Sequence, residues 1–200
     1  MNLNIKNTLC RRYTALMVWL AVAAAWNFPL LAQDMPVPVE LQMDYLLKIF
    51  TFDRSLENRA KDRLKIGILY QGPVECSLRA KDEMVEAICR RRPEELMGLA
   101  VTLVPIDLYR VSLDLAAAQD TFDVFYVTPL AAGNLDTIGR VSREHGILTV
   151  TGVPEYSSRG IAVAIGGSGG SPKILINLGT LREEGADFSS QLLKLARIVD

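Results

Sequence analysis

The sequence has few of the residues that most often build metal and catalytic centres. It contains one histidine, His145, and three cysteines among 200 residues. A zinc site needs clustered Cys and His ligands, and the sequence shows no such cluster. No nucleophile and acid accompany His145 at a spacing typical of a catalytic triad. Its position before Gly146 at a predicted helix end is typical of a side chain that interacts with the helix dipole. The composition therefore predicts a protein with no metal, no cofactor and no catalytic centre.

A phosphate-binding loop is also missing, although the stretch IGGSGGSPKI (165–174) is rich in glycine. Pro172 stands where both the Walker pattern and the dinucleotide-binding pattern require glycine, and Ile174 stands where the Walker pattern requires Ser or Thr. Apolar residues alternate on both sides of the stretch, which predicts two strands instead of a strand followed by a helix. The glycines are therefore predicted to join a β-hairpin.

The sequence has no apolar run long enough for a usual membrane span near its start. The run ALMVWLAVAAAW (15–26) has twelve residues, whereas a spanning helix needs about 20. Three basic residues precede it and the small residue Ala32 follows, which is the order of parts in a secretory signal peptide. Residues 1–32 are therefore predicted to be a cleaved signal peptide, with cleavage after Ala25 as the alternative. The mature chain is expected to be exported and not to span the membrane.

An excess of basic residues is lacking as well. Residues 1–32 carry three basic and no acidic side chains, which leaves 19 basic and 23 acidic side chains in residues 33–200, a net charge of −4. A nucleic-acid partner would require a basic patch, so this balance argues against one. The length of residues 33–200 fits a single domain with a proper core.

Two cysteines remain after the predicted cleavage. Cys76 and Cys89 flank a stretch that is predicted to be helical, so they lie about 20 Å apart if both are on that helix. A disulfide requires Cα atoms within about 7 Å, and two free thiols are therefore predicted. Cys76, in the loop before the helix, remains able to pair with another chain. A homodimer is therefore kept as an alternative to a monomer.

Strands and helices alternate along residues 64–150, which predicts right-handed crossovers and a parallel sheet. A helix around residues 41–50 precedes this part. The predicted strands are 64–70, 101–106, 123–127 and 147–150. The predicted helices start near Ser77, at Ser112 and at Thr128-Pro129, where Thr128 is expected to cap the helix.

The pattern changes after residue 150. Only nine residues (151–159) separate the fourth strand from the next, which is short for a helical crossover, so the last strands are predicted to run antiparallel or at an edge. The segment FSSQLLKLARIV (188–199) is predicted to form an amphipathic helix. The fold class is therefore α/β: a three-layer sandwich with a mixed, largely parallel sheet, a C-terminal β-hairpin and a closing amphipathic helix.

Charged pairs in the sequence favour structural roles. Asp53-Arg54 is interpreted as a salt bridge at a helix end in preference to a catalytic pair. Asp82-Glu83 and Glu94-Glu95 are interpreted as solvated surface.

The predicted architecture offers one site for a small ligand. Open α/β sheets bind ligands beyond the carboxyl ends of their parallel strands, at the point where the strand order reverses. Gln71 and Gly72 follow the first predicted strand, and Thr128 follows the third. These three residues are the candidates for a small-ligand crevice.

Several motifs together resemble the periplasmic YfiR/HmsC-like family. They are the strand ending Leu148-Thr149-Val150, the pair Gly160-Ile161 and the strand Ile176-Asn177-Leu178, with Leu192-Leu193-Lys194-Leu195-Ala196 near the C-terminus. The segments DYLLKIFTFDR and LKIGILY stand in their expected places. The resemblance covers nearly all of residues 33–200.

This resemblance implies a regulator and not an enzyme. It implies that the chain binds the periplasmic sensory domain of an inner-membrane diguanylate cyclase, holds the cyclase inactive, and so limits cyclic di-GMP and biofilm formation. Where many members carry a Trp-Pro segment this chain has Thr51-Phe52-Asp53-Arg54, so another envelope receptor, such as a sensor kinase or an outer-membrane transporter, is an alternative partner. A periplasmic small-molecule-binding protein is the alternative function.

Overall fold

The computed structural model describes residues 35–60, 62–91, 99–131, 133–168 and 171–199. The predicted signal peptide and the Glu94-Glu95 pair lie outside these residues. Within the described residues, seven strands form one sheet: β1 (Arg63–Tyr70), β2 (Ala100–Asp107), β3 (Val124–Val127), β4 (Leu148–Thr151), β5 (Val163–Ser168), β6 (Ser171–Asn177) and β7 (Arg197–Val199).

The helices of the described residues connect these strands and cover the sheet. They are α1 (Val39–Phe50), α2 (Leu56–Ala60), α3 (Glu75–Arg91), α4 (Leu113–Gln119), α5 (Leu135–His145), α6 (Leu178–Glu183) and α7 (Ser190–Leu195), with a 3₁₀ helix at Pro154–Arg159. None of them has the length and apolar character needed to cross a membrane.

The strand order is β2-β1-β3-β4-β5-β6-β7. β1 to β5 are parallel, β6 is antiparallel to β5, and β7 is parallel to β6. The mixed, largely parallel sheet and the β5–β6 hairpin are therefore confirmed. Because β1 has β2 on one side and β3 on the other, the strand order reverses between β1 and β3, as the ligand-crevice prediction requires.

Side chains of the strands alternate between two apolar cores, one on each face of the sheet. Ile66 and Ile68 belong to the core beneath α1 and α3, whereas Leu69 belongs to the core beneath α4 and α5. Gly67 is needed on the second face, because a Cβ there would lie 2.8 Å from the ring of Phe125. This alternation produces the predicted three layers.

The connection between β4 and β5 differs from the prediction. β5 runs parallel to β4, and the 3₁₀ helix makes the crossover. A 3₁₀ helix rises about 2.0 Å per residue, so its six residues cover about 12 Å, which is enough for a short crossover. The sequence reasoning allowed only for an α-helical crossover, and its prediction of an antiparallel or edge placement was wrong for β5, although β6 is antiparallel and β7 lies at the edge.

The C-terminal segment also differs in detail. A helix is present, but α7 ends at Leu195 and the chain continues into the edge strand β7. Phe188 and Leu192 are buried as the predicted stripe requires, whereas Leu195 is 77% exposed. The amphipathic pattern therefore placed Phe188 and Leu192 on the buried side correctly, was wrong for Leu195, and overestimated the length of the helix.

Candidate functional site

Side chains that hydrogen-bond within the protein occupy the predicted crevice between β1 and β3. The Thr128 hydroxyl donates to the Leu69 carbonyl oxygen (2.8 Å) and lies 2.7 Å from the Ser77 hydroxyl oxygen. The Gln71 amide also donates to the Ser77 hydroxyl oxygen, at 2.9 Å. Thr128 and Ser77 are both fully buried. The structure thus brings Gln71 and Thr128 together, but the Thr128 side chain has its partners inside the protein.

This network also corrects the predicted start of the fifth helix. Thr128 does not cap a helix, because α5 begins at Leu135 with Asn134 at its N-cap position. The loop between Thr128 and α5 is held instead by Gln71, whose Oε1 accepts from the Ala131 amide at 2.8 Å. Tyr156 adds a second anchor, since its hydroxyl oxygen accepts from the Leu130 amide at 2.8 Å and burial raises the pKa of this phenol.

Gly72 lies at the border of the filled crevice and lines an open cleft next to it. The cleft has a volume of about 520 Å³ and is lined by Tyr70, Gly72, Pro73, Leu78, Asp107, Tyr109 and Arg110. A Cβ at position 72 would lie 2.8 Å from Asp107 Oδ2, so glycine permits the close approach of that carboxylate. Of the three predicted crevice residues, only Gly72 contributes to this cleft.

Asp107 holds the loop that follows β2. Its Oδ1 accepts from the amides of Gly72 and Tyr109, both at 3.1 Å, and its backbone oxygen accepts from the amides of Arg110 and Val111, both at 2.9 Å. Arg110 Nε lies 3.4 Å from Asp107 Oδ2. One carboxylate therefore fixes the shape of the loop from inside, which leaves its outer side chains to face solvent.

The fixed loop presents apolar side chains to water. Tyr109 is 74% exposed, Val111 40% and Leu115, in the first turns of α4, 51%. We call Tyr109, Val111 and Leu115 the 109–115 surface. These three side chains lie within seven consecutive residues of the chain, and exposed apolar patches mark interaction sites on soluble proteins. Tyrosine is one of the residue types that carry most binding energy in protein interfaces.

A second, smaller cavity is lined in part by other residues of the same loop. It has a volume of about 160 Å³ and is lined by Leu108, Val111, Ser112, Leu113, Asn134, Thr137 and Ile138. Ser112 and Asn134 occupy the N-cap positions of α4 and α5, and neither side chain makes a capping hydrogen bond. The loop after β2 thus contributes residues to two cavities.

The remaining candidates from the sequence do not join this site. His145 is the last residue of α5, is exposed, and is followed by the left-handed Gly146, as predicted. Cys76 and Cys89 are free thiols on α3. Asp82 and Glu83 are exposed, as expected. No group of three potential metal ligands occurs among the described residues.

The predicted salt bridge between Asp53 and Arg54 was wrong. Asp53 is buried and pairs with Arg59 at 2.5 Å, whereas Arg54 lies on the surface, 3.9 Å from Asp187. Asp53 Oδ1 also accepts from the Ser55 amide and hydroxyl, at 3.0 and 2.7 Å. These bonds tie the turn after α1 to α2, so Asp53 has a structural role.

The 109–115 surface was missed by the sequence reasoning. Residues 108–115 read LYRVSLDL, and apolar residues in such a segment are usually assigned to the core. Leu113 does lie in the core, but its neighbours on either side do not. No signal within the sequence separates the exposed apolar residues of this segment from the buried one, because Asp107 determines the loop shape through contacts with Gly72.

Solved structures with a similar fold include a domain from Streptococcus pneumoniae in complex with L-Trp (TM-score 0.55, 12% identity, 81% of this chain and 62% of that one). A conserved domain protein from Vibrio cholerae O1 biovar El Tor is also similar (TM-score 0.57, 12% identity, 82% of this chain and 60% of that one). A substrate-binding protein with adhesive properties from Clostridium difficile, in its ligand-free, open form, gives a TM-score of 0.51 at 16% identity, over 73% of this chain and 57% of that one.

These likenesses define the class of fold: an α/β domain with a fold similar to those of these three proteins. The chain spans less than two thirds of the length of each of these proteins. Comparison with curated proteins found no match. Residues 39–197 match the family described as YfiR/HmsC-like, and the chain belongs to that family. The predicted resemblance is thereby confirmed, and the family is one of periplasmic regulators.

Proposed function

We propose that this protein is a non-catalytic periplasmic regulator that binds and inhibits the periplasmic sensory domain of an inner-membrane signalling protein. A diguanylate cyclase is the leading candidate, in which case the protein limits cyclic di-GMP and biofilm formation. Residues 1–32 act as the cleaved signal peptide, and residues 33–200 form the single regulatory domain. Membership of the YfiR/HmsC-like family supports the regulatory role.

The observation that carries a binding function is the 109–115 surface. Tyr109 is 74% exposed, and the backbone of its loop is already fixed by Asp107, so that backbone loses little conformational freedom when a partner covers the side chain. Leu78, 37% exposed, lies across the neighbouring cleft and extends the apolar area. We assign this surface as the place where the sensory domain docks.

Inhibition requires that the regulator bind the inactive state of its receptor more tightly than the active state. A thousandfold preference corresponds to about 4 kcal/mol. A central aromatic residue and its apolar neighbours can supply a difference of this size, because single interface residues often contribute 2 kcal/mol or more.

The surface assignment is tested by replacing Tyr109 and, separately, Leu195 with serine. Leu195 is a matched control, because it is 77% exposed and lies beside β7, at the opposite end of the sheet from β2. We expect Tyr109→Ser to weaken binding to the purified sensory domain about 30-fold or more, by analogy with interface hot spots, and Leu195→Ser to leave it unchanged. Cyclic di-GMP in cells should rise with the first variant only. Equal binding by both variants would remove the 109–115 surface from the proposal.

The cleft beside Gly72 favours a second candidate function, the binding of a small molecule. Its volume of about 520 Å³ is within the range of ligand pockets, and Tyr70 and Tyr109 supply aromatic walls. In this alternative, Gly72 is the one of the three predicted crevice residues that lines the ligand site, whereas Gln71 and Thr128 belong to the hydrogen-bond network beside it. Native mass spectrometry of protein purified from its own envelope tests it: a co-purifying metabolite that is lost in Tyr109→Ser would support the alternative, and protein of bare mass would oppose it.

A further inference from the structure

Glu184 is a fully buried carboxyl group whose hydrogen-bond partners both belong to one neutral residue. It follows the last residue of α6 and has no exposed surface. The Thr149 amide donates to its Oε2 at 2.8 Å, and the Thr149 hydroxyl donates to its Oε1 at 2.8 Å. Among the described residues, no Lys, Arg or His forms an ion pair with this carboxyl group.

The two arginines that attract Glu184 electrostatically, Arg59 and Arg143, are engaged elsewhere. Arg59, from α2, pairs with Asp53 at 2.5 Å and also donates to the backbone oxygen of Asp123. Arg143, from α5, lies 3.7 Å from the carboxylate of Glu183. Both arginines attract Glu184 only from a distance, and β4, which packs directly against it, carries no titratable side chain. Glu144 and His145, the other titratable groups at the end of α5, are both exposed.

Burial therefore dominates the electrostatics of this group. It raises the pKa of Glu184 to about 8, against the smaller opposing effects of the Thr149 hydrogen bonds and the two arginines. The carboxyl group is then mostly neutral at pH 7. The Thr149 hydroxyl can accept a hydrogen bond from this neutral acid, because a hydroxyl oxygen has two lone pairs and is not limited to donating.

The contact joins three parts of the chain. Thr149 lies in β4, and its hydroxyl oxygen also accepts from the amide of Ala162, at the start of the chain segment that becomes β5, at 2.9 Å. Glu184 lies where α6 gives way to the segment 185–189, and Asp53 accepts from the Asp187 amide of that segment at 3.2 Å. The segment thus has a neutral anchor at Glu184 and an ion-paired anchor at Asp53.

We propose that Glu184 is a pH-operated latch. With its carboxyl group protonated, it holds α6 and the following segment against β4; with its carboxyl group ionised, it releases them. An unpaired charge in this buried position would have to be solvated, and opening of the segment provides the water. The latch is independent of the partner proposed above, because Glu184 contacts β4 in the middle of the sheet, whereas the 109–115 surface follows the edge strand β2.

The direction of the pH effect follows from proton binding. In the open state the pKa returns to its ordinary value of 4.5, whereas in the closed state it is about 8. Between pH 4.5 and pH 8 the closed state therefore binds a proton that the open state does not bind. The equilibrium constant for opening rises about tenfold for each pH unit in that range. Below pH 4.5 and above pH 8 the effect of this group is constant.

Amide hydrogen exchange of the purified full chain, followed by NMR between pH 5 and 9, tests the latch. After correction for intrinsic exchange, protection of the Thr149 and Ala162 amides should fall about tenfold per unit from pH 5 to pH 8 and then level off. Glu184→Gln, which keeps the shape and cannot ionise, should abolish this dependence. Glu183→Gln, at the neighbouring residue whose side chain is 60% exposed, should retain it.

Two results would overturn the latch. One is the same pH dependence in Glu184→Gln as in the wild-type chain. The other is an equal loss of protection at Tyr126 and Val127 in the centre of the sheet, which would mean global unfolding and not a local opening. Should Glu184→Gln fail to fold, carbon-13 NMR titration of the wild-type carboxyl group decides: a pKa near 8 supports the latch, and a pKa near 4.5 contradicts it.

Discussion

At the scale of single residues, the two buried acids Asp53 and Glu184 differ in their partners and not in their depth. Asp53 has an arginine at 2.5 Å, whereas Glu184 has only Thr149. Removing one partner of a buried ion pair leaves the other charge uncompensated. Asp53 therefore stabilises the fold through an ion pair, whereas Glu184 does so through hydrogen bonds with a neutral residue.

Replacing Asp53 by asparagine should lower the free energy of unfolding by about 3–5 kcal/mol, because Arg59 would remain in place without its counter-ion. Chemical denaturation measures this change. The matched control is Arg54→Gln, which removes a pair whose side chains are 60 and 63% exposed and should cost less than about 1 kcal/mol. Similar losses for the two variants would show that the Asp53–Arg59 pair is not the main stabilising contact.

A second residue-scale prediction concerns Tyr126, which is fully buried and donates to Gln42 Oε1 at 2.7 Å. Tyr126→Phe should lower the free energy of unfolding by about 1–3 kcal/mol, since Gln42 would keep a buried oxygen without its donor. Tyr109→Phe removes a hydroxyl from a side chain that is 74% exposed, and thermal unfolding should be unchanged. A stable Tyr126→Phe variant would contradict the importance of this bond.

The contacts of single residues were predicted least well from the sequence. It joined Asp53 to its neighbour Arg54 because adjacent charges are visible in a sequence, whereas the true partner, Arg59, lies one helix further along. Glu184 gave no signal, since its burial depends on Thr149, 35 residues away in the chain. Such contacts depend on packing between elements, which single-residue patterns do not reveal.

At the scale of elements, local chemistry determines the end of α5. Gly146 adopts the left-handed conformation, with φ 65° and ψ 39°, immediately after His145. Side chains with a Cβ are disfavoured in that conformation by about 1–2 kcal/mol. This helix end was predicted from the sequence, because glycine after a helical pattern is a local signal.

Replacing the glycine that follows α5 and replacing a glycine inside α5 should therefore change the free energy of unfolding in opposite directions. Gly146→Ala should lower the free energy of unfolding by about 1 kcal/mol. Gly139→Ala, inside the helix, should be neutral or raise it by up to about 1 kcal/mol, because alanine favours helix. The new Cβ at position 139 would lie 3.1 Å from the guanidinium end of the long Arg143 side chain and 3.7 Å from the Gly160 backbone oxygen, which is an ordinary van der Waals contact. Denaturant titration of both variants distinguishes them, and a shared sign would contradict this explanation.

The elements that were mispredicted lack such local signals. The parallel placement of β5 depends on a 3₁₀ crossover whose sequence, PEYSSR, resembles an ordinary loop. Thr128-Pro129 has the composition of a helix start, but the Thr128 hydroxyl is bound to Leu69 and Ser77. In both cases a contact with another part of the sheet decides the local conformation.

At the scale of the whole molecule, the strand alternation was sufficient to predict the parallel sheet and the position where its order reverses. It was not sufficient to predict that Ser77 and Thr128 fill the crevice at that position. The exposed part of this edge lies one loop further out, at Tyr109 and its neighbours. The architecture thus located the edge where β1 and β3 end, and side-chain packing decided which residues of that edge are accessible.

The central claim is that the 109–115 surface binds the sensory domain of an inner-membrane signalling protein. Site-specific photo-crosslinking in the native envelope tests it most directly, with the crosslinking residue at position 109 and, as a control, at position 195. We predict that position 109 captures an inner-membrane protein with a periplasmic sensory domain and a cytoplasmic cyclase domain, and that position 195 does not. If position 109 captures no membrane signalling protein from correctly exported, folded chains, the claim is contradicted.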